Sequence, residues 1–120
     1  MKETLDCKIG KVERGRTITI PKGEHISLTA YVLDENNAVC DLSGCTVRMR
    51  IMQDNALRTT ITLTRTAQQA LLGIATAEVN LGSSLEPGTY WYDVWLTDAD
   101  SNLSRIYPAC AFVVLQSSNP

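Results

Sequence analysis

The stretch from Leu85 to Asp98, LEPGTYWYDVWLTD, constrains the fold most, because it joins a tight turn to a long strand. Pro87 presets φ and Gly88 accepts the positive φ of a type II turn, so the chain reverses there. The aromatic and β-branched residues that follow favour a strand, whose side chains alternate between two faces. One face carries Tyr90, Tyr92, Val94 and Leu96, and the other carries Trp91, Asp93, Trp95 and Thr97. The first set predicts a core face, and the second places two indoles beside a carboxylate.

The rest of the chain also divides into short segments with a period of two, each ended by turn residues. We predict seven strands: Arg16–Ile20, His25–Leu33, Thr46–Met52, Thr59–Thr64, Gly73–Asn80, Thr89–Thr97 and Leu103–Gln116. Residues 66–72 are predicted to form a single helical turn, and Pro108 in the last strand predicts a bulge or an edge position. This pattern is typical of an all-β, immunoglobulin-like antiparallel β-sandwich of about seven strands.

Tyr90 begins the sixth predicted strand directly after a turn. Immunoglobulin-like sandwiches place a tyrosine corner at this point, with the hydroxyl bonded to the backbone of the preceding connection. We expect the same bond for Tyr90. The cysteine that follows two residues later in true immunoglobulin domains is replaced by Tyr92, so no inter-sheet disulfide of that type is expected.

A chain of 120 residues is most simply one domain. Residues 1–15 are charged and lack sustained alternation, so we predict an N-terminal arm, either a disordered leader or a segment that pairs with a neighbouring subunit. The sandwich is predicted to span residues 16–116, and residues 117–120 form a polar tail.

Charge and hydropathy exclude several classes of partner. The net charge is −2 and the pI is near 5.3, so no global basic field is present to hold nucleic acid or an anionic membrane surface. The apolar runs are far shorter than a bilayer span. The N-terminal residues lack the apolar region of a secretory signal, so we expect an unexported protein.

The four cysteines, Cys7, Cys40, Cys45 and Cys110, form no Cys-x-x-Cys motif, and the single histidine lies in a predicted strand. We therefore expect no metal site and no cofactor. The thiols are predicted to be reduced and mostly buried, with a Cys40–Cys45 disulfide as the alternative. A hydrolytic triad would have to use His25, which is expected at the surface, so we predict that the protein is not an enzyme.

The segment Asp98-x-Asp100-x-Asn102 has the spacing of the first ligands of a calcium loop. Leu103 stands where the loop requires glycine, and Ala109 stands where it requires glutamate. Short polar residues between two strands are also what a hairpin tip contains. We therefore predict a hairpin tip.

Trp91 and Trp95 are expected on one strand face, about 13 Å apart from the strand rise. Exposed tryptophans are rare on monomers and are enriched at interface hot spots. With Asp93 between them, we predict Trp91, Asp93 and Trp95 as the partner-binding residues, together with the 1–15 arm. In the alternative, the chain itself covers both indoles with the arm or with the 66–72 turn.

Arg48, Arg50, Arg58 and Arg65 predict a modest basic patch on the outward face of the third and fourth predicted strands. Such a pattern is usually a solvated sheet face or a charged, protected edge. If the patch has a function, it is better suited to an acidic protein than to nucleic acid.

Three segments in this order resemble the immunoglobulin-like domains of tailed-bacteriophage virion proteins: GEHISLTAYVLD (23–34), DLSGCTVR (41–48) and PGTYWYDV (87–94). The resemblance covers roughly residues 16–115 and includes N-terminal domains of upper baseplate proteins and head-decorating or fibre-associated proteins. It implies a structural protein of the virion, made in the host cytoplasm, that contacts other virion proteins in the capsid, neck, tail or baseplate, as a homo-oligomer or with a capsid or tail partner. It implies no catalytic residues.

A carbohydrate-binding or adhesin module is the alternative function. In that case Trp91 and Trp95 would stack against sugar rings. The two functions differ in the ligand that covers the indoles, which is a protein in the first and a glycan in the second.

Overall fold

The computed structural model describes residues 1–10, 15–80 and 85–116, which form two β-sheets packed face to face. The elements in chain order are β1 (Lys2–Lys8), β2 (Ile18–Pro21), β3 (His25–Leu33), β4 (Thr46–Gln53), β5 (Ala56–Leu63), α1 (Ala67–Leu71), β6 (Ile74–Asn80), β7 (Gly88–Thr97) and β8 (Leu103–Leu115). One sheet has the strand order β1-β3-β6, and the other has the order β2-β8-β7-β4-β5.

The predicted all-β sandwich is confirmed, and each of the seven predicted strands is present. Both sheets are mixed rather than wholly antiparallel. β1 runs parallel to β3 and β2 runs parallel to β8, whereas the pairs β3–β6, β4–β5, β4–β7 and β7–β8 are antiparallel. Both parallel pairs place a strand from the first part of the chain at the edge of a sheet.

β1 is an eighth strand that the sequence analysis placed in the 1–15 arm. It pairs with β3 from Lys2 opposite Ser27 to Lys8 opposite Leu33, and its side chains Leu5 and Cys7 are buried. This part of the predicted arm is therefore a strand of the sandwich and not a disordered leader. Residues 11–14 of the arm and the predicted tail 117–120 lie outside the described residues.

The core lies between the two sheets and takes alternate side chains from each strand. The three-stranded sheet contributes Leu5, Ile26, Leu28, Ala30 and Val32, and the five-stranded sheet contributes Ile18, Ile20, Val47, Met49, Ile51, Leu63, Val94 and Phe112. The predicted core face of β7 is confirmed, because Tyr90, Tyr92, Val94 and Leu96 are all buried. Burial of these apolar side chains provides the main stabilising free energy of the fold.

The predicted irregularity at Pro108 is a β-bulge in β8. Tyr92 lies opposite Cys110, but Val94 lies opposite Tyr107, so β8 contains one residue more than β7 across this interval. A proline has no N–H to donate, and a bulge is a position where none is needed. β2 pairs with β8 only beyond this bulge, so Pro108 also lies outside that pairing.

Arg16 joins β1 to the five-stranded sheet through both its backbone and its side chain. Its N–H donates to the Tyr107 hydroxyl (3.0 Å), and its carbonyl accepts from the Tyr92 hydroxyl (2.5 Å). Its guanidinium donates to the Glu3 carboxylate (3.0 Å) and to the Thr4 carbonyl (2.9 Å). Burial, followed by the hydrogen bond with Tyr107, raises the pKa of Tyr92, so its hydroxyl stays protonated as a donor.

The predicted tyrosine corner is present. The Tyr90 hydroxyl donates to the Glu86 carbonyl at 2.7 Å, which ties the start of β7 to the connection before it. The bond fixes how the chain enters β7, the strand that carries both tryptophans.

Replacing Tyr90 by phenylalanine removes this hydrogen bond and keeps the buried ring. We expect the free energy of unfolding to fall by about 0.5–1.5 kcal/mol, the usual net contribution of one such bond. Urea unfolding measures the change, with Tyr31→Phe as the control, because Tyr31 is exposed on β3. An equal loss in both variants would show that the corner bond does not stabilise the fold.

Candidate functional site

The three predicted partner-binding residues lie where the alternation of β7 placed them, on the side of the five-stranded sheet that faces away from the core. We call this side the outer face. Strand pairing brings arginines next to them: Arg50 lies opposite Asp93 on β4, while Arg48 on β4 and Arg105 on β8 both lie opposite Trp95.

Asp93 is a buried carboxylate on this face, only 4% exposed. Arg50 binds it in a bidentate manner, with Nε 3.1 Å from Oδ1 and Nη2 2.8 Å from Oδ2. A second guanidinium, from Arg105, lies 3.4 Å from Oδ2. The hydrogen bond to Asp93 raises the pKa of Arg50 above its ordinary value, despite partial burial. Two arginines thus compensate the charge of one carboxylate.

The same two arginines cover Trp95. The guanidinium carbons of Arg50 and Arg105 lie 5.0 and 5.4 Å from the centroid of the indole, within the range of a cation–π interaction. The indole N–H is buried and has no hydrogen-bond partner among the described residues. The predicted cover over Trp95 therefore comes from the chain itself, although from arginines rather than from the arm or the 66–72 turn.

Trp91 remains 53% exposed in the part of the chain that the structure describes. It borders an open groove of about 450 Å³, lined by Gly15, Thr17, Trp91, Pro108, Ala109, Cys110 and Ala111. Of the expected covering elements, β1 belongs to the three-stranded sheet and α1 packs against β6, whereas Gly15 of the arm lines this groove. The two indoles thus differ: Trp95 is held within a charged cluster, and Trp91 is available for contact.

The predicted basic patch is partly correct. Arg48 and Arg50 lie together on the outer face, and Arg58 is exposed on the neighbouring β5. Arg65 does not belong to the patch, because its guanidinium donates to the Leu42 carbonyl (3.0 Å).

Sequence reasoning missed the contribution of Arg105 to this face. The signal was available in the hairpin that joins β7 to β8. Counting outward from the loop at residues 98–102 pairs Thr97 with Leu103 and Trp95 with Arg105, as the structure shows. Side chains of opposed residues share a face, so Arg105 had to lie beside Trp95.

A pocket of about 230 Å³ opens on the outer face beside Trp95. Its lining residues are Arg48, Arg50, Thr60, Trp95, Thr97 and Leu103. The side chain of Arg48 has no ion pair or hydrogen bond with any described residue. Arg105 lies over the ring of its Trp95 wall, 5.4 Å from the centroid, so three guanidiniums lie near the Asp93 carboxylate and the local charge is positive.

The predicted hairpin tip at residues 98–102 is confirmed. The Asp98 carboxylate accepts hydrogen bonds from the N–H groups of Asp100 and Asn102, both at 2.9 Å. These bonds lower the pKa of Asp98, and the bond from the Asn102 N–H has the largest effect. Within the described ranges, no group of three or more histidine, cysteine or acidic side chains is placed to hold a metal ion. His25 lies at the surface of β3, as expected, with Nε2 2.9 Å from the Glu78 carboxylate.

No helix in the described part of the chain is both long and apolar enough to cross a membrane.

The four thiols are free in the structure and differ in burial. Cys7 lies in the core, where burial, with a smaller contribution from the Asp6 charge, raises the pKa of its thiol to about 12. Cys40 and Cys110 are partly exposed, and burial also raises the pKa of each. Both Cys40 and Cys45 lie with their sulfurs 3.9 Å from the Asp41 carbonyl oxygen.

Alkylation should distinguish these thiols, because the thiolate is the reactive form. With iodoacetamide near pH 8, we expect Cys40 and Cys110 to be labelled in the folded protein and Cys7 to stay unlabelled until the chain is unfolded. Peptide mass spectrometry, with a denatured sample as the control, measures the extent at each site. Equal rates at Cys7 and Cys40 in the folded protein would contradict the burial described above.

Asp93→Asn tests the charge cluster of the outer face. The substitution keeps the size of the side chain and removes a charged hydrogen-bond acceptor, so we expect the free energy of unfolding to fall by about 1.5–3 kcal/mol. Asp6→Asn makes the same chemical change at an exposed position of β1, where we expect an effect within about 0.5 kcal/mol. Urea unfolding of both variants measures the difference, and equal stabilities would rule out a stabilising role for the cluster.

No protein-family model and no curated protein sequence matches the chain. Among solved structures, the fold is similar to the N-terminal domain of phage TP901-1 ORF48, with a TM-score of 0.62 and 9% sequence identity over 96% of this chain and 99% of that chain. A copper-containing nitrite reductase (NirK) from Thermus scotoductus SA-01 aligns with a TM-score of 0.48 and 11% identity over 98% of this chain and 28% of that chain. At 9% identity, the likeness to the phage domain shows that the two chains share a fold.

Proposed function

We propose that the chain is a non-enzymatic structural protein of a tailed-bacteriophage virion, an immunoglobulin-like domain that contacts other virion proteins through its outer face. The observation that carries the proposal is Trp91, an indole that is 53% exposed on the outer face beside an open groove. Its support from known structures is the fold shared with a phage protein domain along almost the whole length of both chains.

The outer face has the composition of a protein-binding surface. Tryptophan and arginine are the side chains most enriched at interface hot spots, and both occur here on adjacent strands. β7 lies in the middle of the five-stranded sheet, so its side chains are held by pairing on both sides. A rigid strand orders little on binding, which lowers the entropic cost of association.

The ionisable groups of this face serve recognition in this proposal, and not catalysis. Both oxygens of Asp93 are engaged by guanidiniums, so the carboxylate is held as an ion-pair partner. A general base needs a free lone pair directed at a substrate proton. Asp93 instead fixes the positions of Arg50 and Arg105.

The arrangement favours a protein partner over the carbohydrate alternative. A sugar-binding strand would present indole faces that are free to stack on sugar rings. The Trp95 ring is already covered by Arg50 and Arg105, and Trp91 alone is left open. One open indole beside a groove is better matched to an apolar side chain of a neighbouring protein.

Trp91→Ala tests the proposal, because it removes the exposed indole and leaves the Asp93 cluster intact. We expect the variant to fold normally and to lose most of its incorporation into phage particles, since a hot-spot tryptophan contributes about 2 kcal/mol or more to binding. The measurement is quantitative mass spectrometry of particles purified from a host that supplies the variant in place of the natural copy.

Tyr31→Ala is the matched control, because Tyr31 is an exposed aromatic residue on β3, in the other sheet. It should enter particles at the natural level. Normal incorporation of Trp91→Ala, or saturable quenching of Trp91 fluorescence by a glycan, would refute the proposed contact surface. Absence of the natural protein from purified particles would refute the virion location itself.

A further inference from the structure

We infer that the pocket beside Trp95 is a carboxylate-binding site that receives an aspartate or glutamate side chain from an acidic segment of a protein partner. The inference rests on the proposed function and names the chemistry of the partner at one part of the outer face. It concerns the pocket, its lining residue Arg48 and Arg105 over the Trp95 ring, whereas the proposed contact surface depends on Trp91.

Charge is the first support for an acidic occupant. Arg48 and Arg50 line the pocket, and Arg105 lies over the ring of Trp95, which forms one of its walls. Asp93 is the carboxylate that pairs with Arg50 and Arg105. Arg50 is bound to Asp93 in a bidentate manner, but Arg105 makes only one longer contact of 3.4 Å. Two positive charges are therefore left uncompensated, and Arg48 has no partner among the described residues.

The acidic residue nearest along the chain does not provide the missing charge. Asp98 follows β7 directly, but its carboxylate accepts the N–H groups of Asp100 and Asn102 and a bond from the Asn102 side chain. These hydrogen bonds hold the Asp98 carboxylate within the hairpin tip. Arg48, which has no partner among the described residues, is thus open to a carboxylate from another protein.

The shape and lining of the pocket suit a carboxylate on an aliphatic stem. Its volume of about 230 Å³ has room for one side chain. Leu103, which is 66% exposed, and the edge of Trp95 provide an apolar wall for methylene groups, while the arginines provide donors at the other side. Guanidiniums bind carboxylates with two parallel hydrogen bonds, which makes the recognition directional.

The buried indole N–H of Trp95 is a second sign that the site is incomplete. It has no acceptor among the described residues, and such groups in proteins nearly always have one. The side chains of Arg50 and Arg105 are 38% and 45% exposed, so they have room to move toward an incoming carboxylate. That movement opens a path by which an acceptor of the partner reaches the N–H.

The fluorescence of Trp95 provides a direct test. The chain contains two tryptophans, so Trp91→Phe leaves Trp95 as the sole reporter. Hexaglutamate is the probe, with hexalysine and inorganic phosphate at equal ionic strength as comparisons. We expect a saturable change in Trp95 emission with hexaglutamate, weakened by added salt, and none with hexalysine.

Arg48→Gln in the same background should weaken hexaglutamate binding about fivefold or more, because it removes the unpaired guanidinium. Arg105→Gln provides a second, independent variant, and circular dichroism confirms that each is folded. Arg58→Gln is the matched control, since Arg58 is exposed on β5 and does not line the pocket. It should bind as tightly as the parent.

Four outcomes would overturn the inference: no saturable change, equal weakening by Arg58→Gln, binding of phosphate as tight as that of hexaglutamate, or self-association that Arg48→Gln abolishes. The last result would assign the pocket to a second copy of the chain. Failure of the peptide test together with Trp91-dependent incorporation into particles would remove this inference and leave the proposed function standing.

Discussion

The buried carboxylate of Asp93 is the interaction on which the outer face of the sandwich depends. A charge at a position that is 4% exposed requires compensation, and Arg50 provides it through two short hydrogen bonds while Arg105 approaches from the other neighbouring strand. These guanidiniums also cover the ring of Trp95. One carboxylate in the middle of β7 therefore organises side chains from three adjacent strands.

The two sides of β7 thus have different roles, one in the core and one at the surface. Toward the core, Tyr92 stacks on Tyr107 with ring centroids 5.7 Å apart, and both hydroxyls hold the backbone of Arg16, which in turn binds β1. These contacts link the start of the chain to the central strand. Toward the outside, the same strand presents one exposed indole and one charged pocket. A strand fixed this firmly from within is a suitable base for a rigid contact surface.

Local patterns in the sequence predicted most of the fold. The period of two in β3, β4 and β7 gave the correct buried faces, and Tyr90 near the start of the strand predicted the corner bond to the preceding connection. The predicted type II turn was wrong, because Pro87 lies in a bend and Gly88, with a φ of 153°, already belongs to β7. β1 was missed because it is an edge strand with two buried side chains, Leu5 and Cys7, among charged ones. Its parallel pairing with β3 joins segments far apart in the chain, and no turn residue signals such a contact.

The candidate site was predicted less completely, because alternation assigns a face and not a degree of burial. It correctly placed Trp91, Asp93 and Trp95 on one face. The arginines that cover Trp95 and pair with Asp93, but leave Trp91 exposed, come from β4 and β8. The register of the β7–β8 hairpin would have identified Arg105. The pairing of β4 with β7 joins residues about forty or more positions apart, as in Arg50 with Asp93, and no local pattern fixes that register.

Electron cryomicroscopy of purified phage particles, with this chain located in the density, would show which surface of the sandwich contacts the neighbouring proteins. We expect density of a neighbouring protein packed against Trp91 on the outer face of the five-stranded sheet, with an acidic side chain in the pocket beside Trp95. Particles in which the outer face borders solvent, while another surface of the sandwich contacts the neighbouring proteins, would contradict it.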